Sequence, residues 1–366
     1  MSSLTVRRWG LAEWQAAEPA WNALMARSEA DALFLSWHWL THWWSFYGIP
    51  LGLEAQVLAF YRGNELVGLA PLYQRAVMRG RLIRARSIQF IGYTFRDPGP
   101  LISEYLDVIA APEDLAQVRD ACVRTLVAEA DWTELVVGFT PAGQGWKDSM
   151  EQAASPGSYY TRELDRSVSY HADLSRGFPA YLKELGQSTR RSVWNLRKRL
   201  SEEHEGVRFE TVAPAEIPGA FDDLNRLHQL RWNRPAFSGE RLDFHRTFAT
   251  QLAERGELAL TRLLVAERTV SVLYDIRKNG RQYNMKMSFD PSLTTRLSLG
   301  LVHFGYAMEA AAEAGMTLYD FLAGRGQNVD FKGNLGQLQR NLSCVQIVRG
   351  WRLPALYRWR DRLTQA

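Results

Sequence analysis

The amino-acid sequence predicts a mixed α/β (α+β) fold in which two mixed-sheet domains, each flanked by helices, follow one another along the chain. An order of helices, antiparallel β-meander, helix and strand occurs twice, with little residue identity between the two occurrences. Turn chemistry inside each meander agrees: Arg62-Gly63-Asn64-Glu65 in the first and Asn279-Gly280 in the second both join apolar, strand-like runs. Length adds a third argument, because 366 residues exceed what one hydrophobic core usually supports.

Each element carries its own signal. Residues 11–27 place Trp14, Ala17, Trp21 and Leu24 at helical spacing, and Ser36 stands where an N-cap would open a second helix running to Tyr47. Runs 53–61 and 66–74 read as a hairpin, a turn at residues 78–81 leads into a strand over 82–92, and Pro112 opens a helix reaching residue 130. A short strand spans 135–139. The Gly-, Ala-, Ser- and Gln-rich stretch 141–157 reads as the neighbourhood of a domain join, which divides the chain into 1–165 and 166–366.

In the second half, 178–185, 188–203, 214–232 and 242–255 read as helices and 207–212, 257–266, 269–278 and 281–289 as strands. A helix over 298–315 with a Gly C-cap and a strand over 316–322 complete the pattern.

Composition narrows the function classes. Forty-four basic against 40 acidic residues give +4, too weak a field to imply a nucleic-acid or membrane partner. The two cysteines, Cys122 and Cys344, have no partners at metal-ligand spacing, so neither a disulfide framework nor a local metal site is expected. No apolar run reaches the ~20 residues of a membrane span, and a cytoplasmic protein is expected. The 13 tryptophans, concentrated between Trp14 and Trp44, suit a packed core or a cleft wall that would face a sugar or another flat acceptor.

The most informative stretch is 290–336, with the strand 281–289 leading into it. A strand, a tight loop at Arg296-Leu297-Ser298-Leu299-Gly300-Leu301 and a helix follow one another, an order that turns backbone N–H groups toward an anion such as a cofactor phosphate. An N-capped helix at Ser298 with no ligand is the alternative. His228 and Arg231, three apart on the 214–232 helix, direct an imidazole and a guanidinium to one side, where a histidine takes a proton near neutral pH; the alternative is a core-edge His with a C-terminal Arg. Asp320, in an otherwise apolar strand, needs a partner, and Lys332 follows it as a cation for an oxyanion or a phosphate, or as half of a structural pair. Arg190, Arg191, Arg197, Lys198 and Arg199 surround Trp194 as a phosphate grip or a solvated face.

Several of these segments together look like one family. Phe34-Leu35-Ser36-Trp37-His38-Trp39-Leu40 with Trp43-Trp44, Val67-Gly68-Leu69-Ala70-Pro71-Leu72-Tyr73, Leu227-His228-Gln229-Leu230-Arg231-Trp232, and Tyr319-Asp320-Phe321 with Gly324 resemble the CelD/BcsL group of GNAT acetyltransferases, associated with cellulose and other polysaccharide biosynthesis. That group is similar to the Fem-type aminoacyltransferases, which have a comparable Phe-Lys after the Tyr-Asp-Phe strand. The resemblance implies a tandem GNAT-like fold whose second domain carries the donor loop. It implies acetyl-CoA or another acyl-CoA as donor, no metal, and a small-molecule or saccharide acceptor.

The site residues expected on this basis are His228, Asp320 and Lys332 for catalysis, Arg296, Ser298, Leu299, Gly300 and Leu301 for the donor, and Arg231, Trp232 and Tyr319 for the acceptor. Where the group shows Tyr-Lys followed by Trp-Gly, this chain has Phe331-Lys332-Gly333-Asn334-Leu335-Gly336, which removes a phenolic acid. A Fem-like enzyme using aminoacyl-tRNA, and a non-catalytic subunit of a polysaccharide assembly, are the alternatives.

Overall fold

A computed structural model describes residues 4–80, 83–95, 103–129, 131–293, 298–323 and 332–365. In chain order its first elements are β1 (Thr5–Trp9), α1 (Leu11–Ala16), α2 (Glu18–Ala26), α3 (Trp37–Trp43), β2 (Glu54–Arg62), β3 (Glu65–Arg79), β4 (Ile83–Phe90), β5 (Ile109–Ala110), α4 (Leu115–Ala128), β6 (Glu134–Thr140), α5 (Gly143–Ala153) and β7 (Tyr159–Asp173). There follow α6 (Phe178–Glu184), α7 (Gln187–Arg190), a π-helical turn Arg191–Asn195, α8 (Leu196–Glu203), β8 (Arg208–Thr211), α9 (Ile217–Trp232), α10 (Glu240–Glu254), β9 (Leu258–Val265), β10 (Arg268–Lys278) and β11 (Arg281–Phe289). The chain closes with α11 (Leu299–Glu313), β12 (Leu318–Ala323), β13 (Leu338–Arg349) and α12 (Arg352–Gln365).

Two compact units emerge, Met1–Ser167 with Asn341–Ala366, and Val168–Arg340. The sequence-based division at 165 lies close to the internal boundary but gives residues 341–366 to the second half. Strand pairing explains the difference, since Ser343 and Val345 of β13 pair with Thr140 and Val137 of β6.

The first unit has the strand order β1-β2-β3-β4-β6-β13, with β5 beside β3. The sequence signals for α3 and the β2–β3 hairpin hold in detail: Ser36 Oγ accepts from Trp39 N at 3.1 Å, and Gly63 supplies the left-handed turn residue at φ +61°. The tryptophans between Trp14 and Trp44 go mostly into the core. Trp14, Trp21, Trp39 and Trp43 are fully buried, and Trp14 meets Trp44 edge-on at 5.6 Å.

The expected join at 141–157 contains helix α5. Its sequence is mostly polar, and burial falls on Gly143, Trp146, Ser149 and Met150, which leaves little apolar stripe to read. Strand β7 is equally disguised by charge. Its Glu163 approaches Lys147 Nζ at 3.6 Å and its Arg162 pairs with Asp361 of α12 at 3.0 Å, so charges that suggest a loop are neutralised by partners.

The second unit has the strand order β7-β12-β11-β10-β9-β8. Its two hairpins turn on Ala266-Glu267 (φ 47°, 64°) and Asn279-Gly280 (φ 45°, 74°), both residues left-handed as type I′ turns require. Helices cover both faces. Successive residues of β10 point to opposite sides, so Leu273 joins the cluster around Phe304, Ala307 and Met308 of α11 while Tyr274 packs against Phe221 of α9 with ring centroids 5.1 Å apart. Helix α9 ends at Trp232, with Asn233 left-handed (φ 52°) and its N–H on Gln229 O at 2.9 Å.

Candidate active site

Strand β11 organises the site. Its parallel pairing with β12 covers Arg281–Tyr283 against Leu318–Asp320. Beyond that point both strands are irregular. Against β10, Tyr274 pairs with Lys286 and Asp275 with Asn284, which makes Met285 the extra residue of a β-bulge. Against β7, β12 shifts register between Asp320 and Ala323, where Leu322 takes a left-handed φ of 57°. Two neighbouring parallel strands that stop pairing side by side leave backbone polar groups of β11 open to a ligand.

Helix α11 begins at the same end of β11. A Cβ at Gly300 would lie 2.9 Å from Met287 Cε and 2.9 Å from Phe289 Cε1, so the absence of a side chain lets the first turn sit directly on the strand. Leu299 is buried in the core and Leu301 packs against it from the edge. Ser298 is exposed and occupies the N-cap position but makes no side-chain cap hydrogen bond. The N–H groups of this first turn therefore lack a side-chain acceptor from their own cap, and an anion can take that place. Arg296 and Leu297 lie outside the described residues.

On the α9 side, His228 is buried and its Nδ1 lies 2.7 Å from Arg234 O. A carbonyl oxygen only accepts, so Nδ1 carries the hydrogen and Nε2 keeps its lone pair. Burial holds this imidazole below its ordinary pKa, and the cations Lys286, Arg234 and Arg231 push the same way against the opposing hydrogen bond. Arg231 lies over the rings of Phe289 at 4.4 Å and Trp232 at 4.8 Å. His228, Arg231, Trp232 and Lys286 thus share one place. Sequence reasoning missed Lys286, although a lysine inside the apolar run Tyr283-Asn284-Met285-Lys286-Met287 is as unusual as the Asp320 it did weigh.

Asp320 and Lys332 are held by structural contacts. Asp320 is fully buried, accepts from Leu322 N at 2.7 Å, and lies 3.4 Å from His171 Nε2 and 3.6 Å from Arg281 Nη1, so it ties the β12 irregularity to β7 and β11. Lys332 Nζ donates to Leu322 O at 3.0 Å and Ala323 O at 2.8 Å, from a helical turn at 332–335. These contacts aim its ammonium at the end of β12. Gly324, Arg325 and Phe331 lie outside the described residues.

Tyr319 is not beside His228. It is fully buried with Phe304 and Phe321, and its hydroxyl donates to Asp275 Oδ2 at 2.5 Å. Asp275 also accepts from Gln282 Nε2 at 2.7 Å and Asn284 Nδ2 at 2.8 Å, while Gln282 Oε1 accepts from Arg277 Nε at 2.9 Å. Burial raises the Asp275 pKa to about 7 despite these donors.

A carboxyl raised above its unfolded value of 3.8 keeps a proton in the folded state that the unfolded chain gives up. Its contribution to stability is full below about pH 4 and is lost as pH climbs through about 7. Asp275→Asn should flatten the fall in melting temperature across that window. An unchanged slope would contradict the assignment.

The basic helix is mostly spent within the fold. Arg197 pairs with Glu309 Oε2 at 2.5 Å and lies over Tyr306 at 4.0 Å and Trp194 at 4.6 Å. Lys198 and Arg199 pair with Glu202 and Glu203 one turn on, at 3.6 and 2.5 Å. Gly305 permits this packing, since a Cβ there would lie 2.2 Å from Val193 O. His303, between Thr261 Oγ1 at 3.1 Å and Ser271 Oγ at 2.7 Å, is pushed down to about 3 by burial and stays neutral in the core. Among the described residues no group of three His, Cys, Asp or Glu side chains is placed to hold a metal ion, and no helix is long and apolar enough to cross a membrane.

Residues 187–333 match the family described as the Acetyltransferase (GNAT) domain. No curated protein matches the chain. Solved structures share the fold over nearly the full length. FemX aligns at 12% identity and TM-score 0.59, covering 89% of this chain and 95% of its own. A conserved protein of unknown function from Bacteroides thetaiotaomicron aligns at 13% and 0.53, covering 92% and 97%. A tandem GNAT protein from the clavulanic acid biosynthesis pathway aligns at 14% and 0.50, covering 95% and 98%. The fold is thus the mixed α/β fold of GNAT proteins, and residues 187–333 are similar to the GNAT acetyltransferase domain.

Proposed function

We propose that this chain transfers an acyl group from acyl-CoA to an amine or hydroxyl of a sugar, a polysaccharide precursor or a small metabolite. The observation that carries the reading is the coincidence at one end of β11 of a bulge at Met285, the end of β12 pairing, and an α11 first turn without a side-chain cap. The N–H groups of Leu299, Gly300 and Leu301 suit a pyrophosphate, and the open edge of β11 suits the extended amide arm that precedes the thioester. When bound, the donor supplies an activated acyl carbon with a thiolate leaving group.

His228 Nε2 takes the proton of the attacking amine or hydroxyl. Arg231 and Trp232 border the acceptor. Lys332, aimed by two carbonyls, offsets negative charge that develops on the acyl oxygen. Asp320 and Tyr319 act at one remove, Asp320 by fixing the β12 irregularity and Tyr319 by holding the Asp275 network.

Thiol release from acetyl-CoA, followed across a panel of amino sugars and small amines, tests the reading. Acceptor-dependent release is expected. Aminoacyl transfer from charged tRNA with no release from acetyl-CoA would favour a Fem-like enzyme instead, and silence with both would favour a non-catalytic subunit. The internal pairing of Arg197, Lys198 and Arg199 weighs against the tRNA reading, because few cations of that helix remain for phosphates. Gly300→Val is expected to weaken acetyl-CoA binding by about tenfold or more, because the added branches meet Met287 and Phe289 and lift the first turn of α11. Calorimetry checks it, and unchanged affinity would remove that turn from the donor site.

A further inference from the structure

Lys286 lies in the stretch of β11 past its pairing with β12, on the residue after the bulge. It is half-buried, and among the described residues its ammonium has no hydrogen bond and no carboxylate partner. Several other partly withdrawn cations of the same unit meet carboxylates: Arg197 with Glu309, Arg262 with Glu210 and Glu216, Lys278 with Glu257, and Arg281 with Asp320. Lys286 is surrounded by more cations. Burial first, then Arg234 of the α9–α10 connection, Arg241 in the first turn of α10 and Lys332 beyond β12, hold its pKa below the ordinary lysine value. Lys286 in turn acts on His228, and Arg231 lies over Phe289 three residues along the same strand.

A half-buried ammonium among like charges destabilises an empty fold, and a ligand of opposite charge relieves that cost. We propose that the acceptor is anionic and that Lys286, with Arg231 and Arg234 at the rim, binds a carboxylate or phosphate that the acceptor carries beside its acyl-receiving group. The proposal rests on the acyl-transfer reading and adds the substrate class. Arg231, exposed and lying over Phe289 at 4.4 Å and Trp232 at 4.8 Å, brings a planar guanidinium suited to a forked contact with either oxyanion. With an anion in place, the charge on Lys286 is stabilised, and the acceptor is held within reach of His228.

The test is calorimetric titration of the full chain with glucosamine, glucosamine 6-phosphate and muramic acid, each with and without saturating acetyl-CoA. It is run on the wild type, Lys286→Met and Lys286→Arg. One of the two anionic sugars should bind about tenfold or more tighter than glucosamine, the worth of one charge-assisted hydrogen bond. Which of them does so tells phosphate from carboxylate. The advantage should vanish in Lys286→Met, persist in Lys286→Arg and shrink with added salt in the wild type, where no variant has to fold.

Lys286→Met should also melt no lower than the wild type, because it removes repulsion. Equal affinity for the three sugars in the wild type, or an advantage unchanged in Lys286→Met, overturns the proposal. So does an advantage abolished by acetyl-CoA, which would assign the cluster to the donor. Failure of acetyl-CoA alone to bind, with the anionic advantage intact, would count against the donor reading and leave the anion site standing.

Discussion

His228→Gln lowers kcat by about two to four orders of magnitude at neutral pH, the usual contribution of a positioned general base. The Arg234 carbonyl 2.7 Å from Nδ1 fixes the tautomer, so Nε2 is the atom with a lone pair for the proposed proton transfer. Burial and the neighbouring cations hold the imidazole below its ordinary pKa of 6.5, so the neutral form prevails at pH 7. The wild-type rate should accordingly fall only on the acid side, below pH 6.5, and that limb should disappear in the glutamine variant. Since the proposed donor contacts lie on α11 and β11, the KM for acetyl-CoA should hardly move. A loss of only a few-fold, or an acid limb that survives, would place the base elsewhere.

Arg79→Met destabilises the first unit by about 3–5 kcal/mol, the penalty for stripping one partner from a buried ion pair. Arg79 reaches across from β3 with Nε and Nη2 to the fully buried Glu134 of β6, at 3.1 and 2.5 Å, and Gln346 of β13 donates to Glu134 Oε2 at 2.8 Å. Without the guanidinium, Glu134 must either keep an unpaired buried charge or take up a proton. The double variant Arg79→Met with Glu134→Leu should recover most of the loss, because two apolar groups leave no charge to solvate. Denaturant midpoints of the single and double variants check this. A single-variant cost below about 1 kcal/mol, typical of an exposed pair, would contradict the burial on which the argument rests.

Much of the fold was legible because its signals are local. The Ser36 cap and the Gly63 and Asn279-Gly280 turns each follow from one or two residues with special hydrogen bonding or φ. What escaped the sequence is stabilised by distant partners. Strand β1 pairs with β2, β13 pairs with β6 far back in the chain, and β7 and α12 share the Arg162–Asp361 ion pair, so each looks polar or irregular until its neighbour arrives.

The candidate site divides the same way. His228 and Arg231 were found by helical spacing, and Asp320 by standing out in an apolar strand. Asp275 and Lys286 carry that last signal too, but their meaning depends on a bulge at Met285 that no local motif marks. Asp320 itself is used to fix β12, a role visible only once His171, Arg281 and Leu322 surround it.

Direct calorimetric titration of the full chain with acetyl-CoA, alongside tRNA, bears most closely on the claim that residues 187–333 hold an acyl-CoA donor. Saturable one-site binding of acetyl-CoA, weakened by Gly300→Val and retained by His228→Gln, is the predicted result. Binding of tRNA with no response to acetyl-CoA would contradict it.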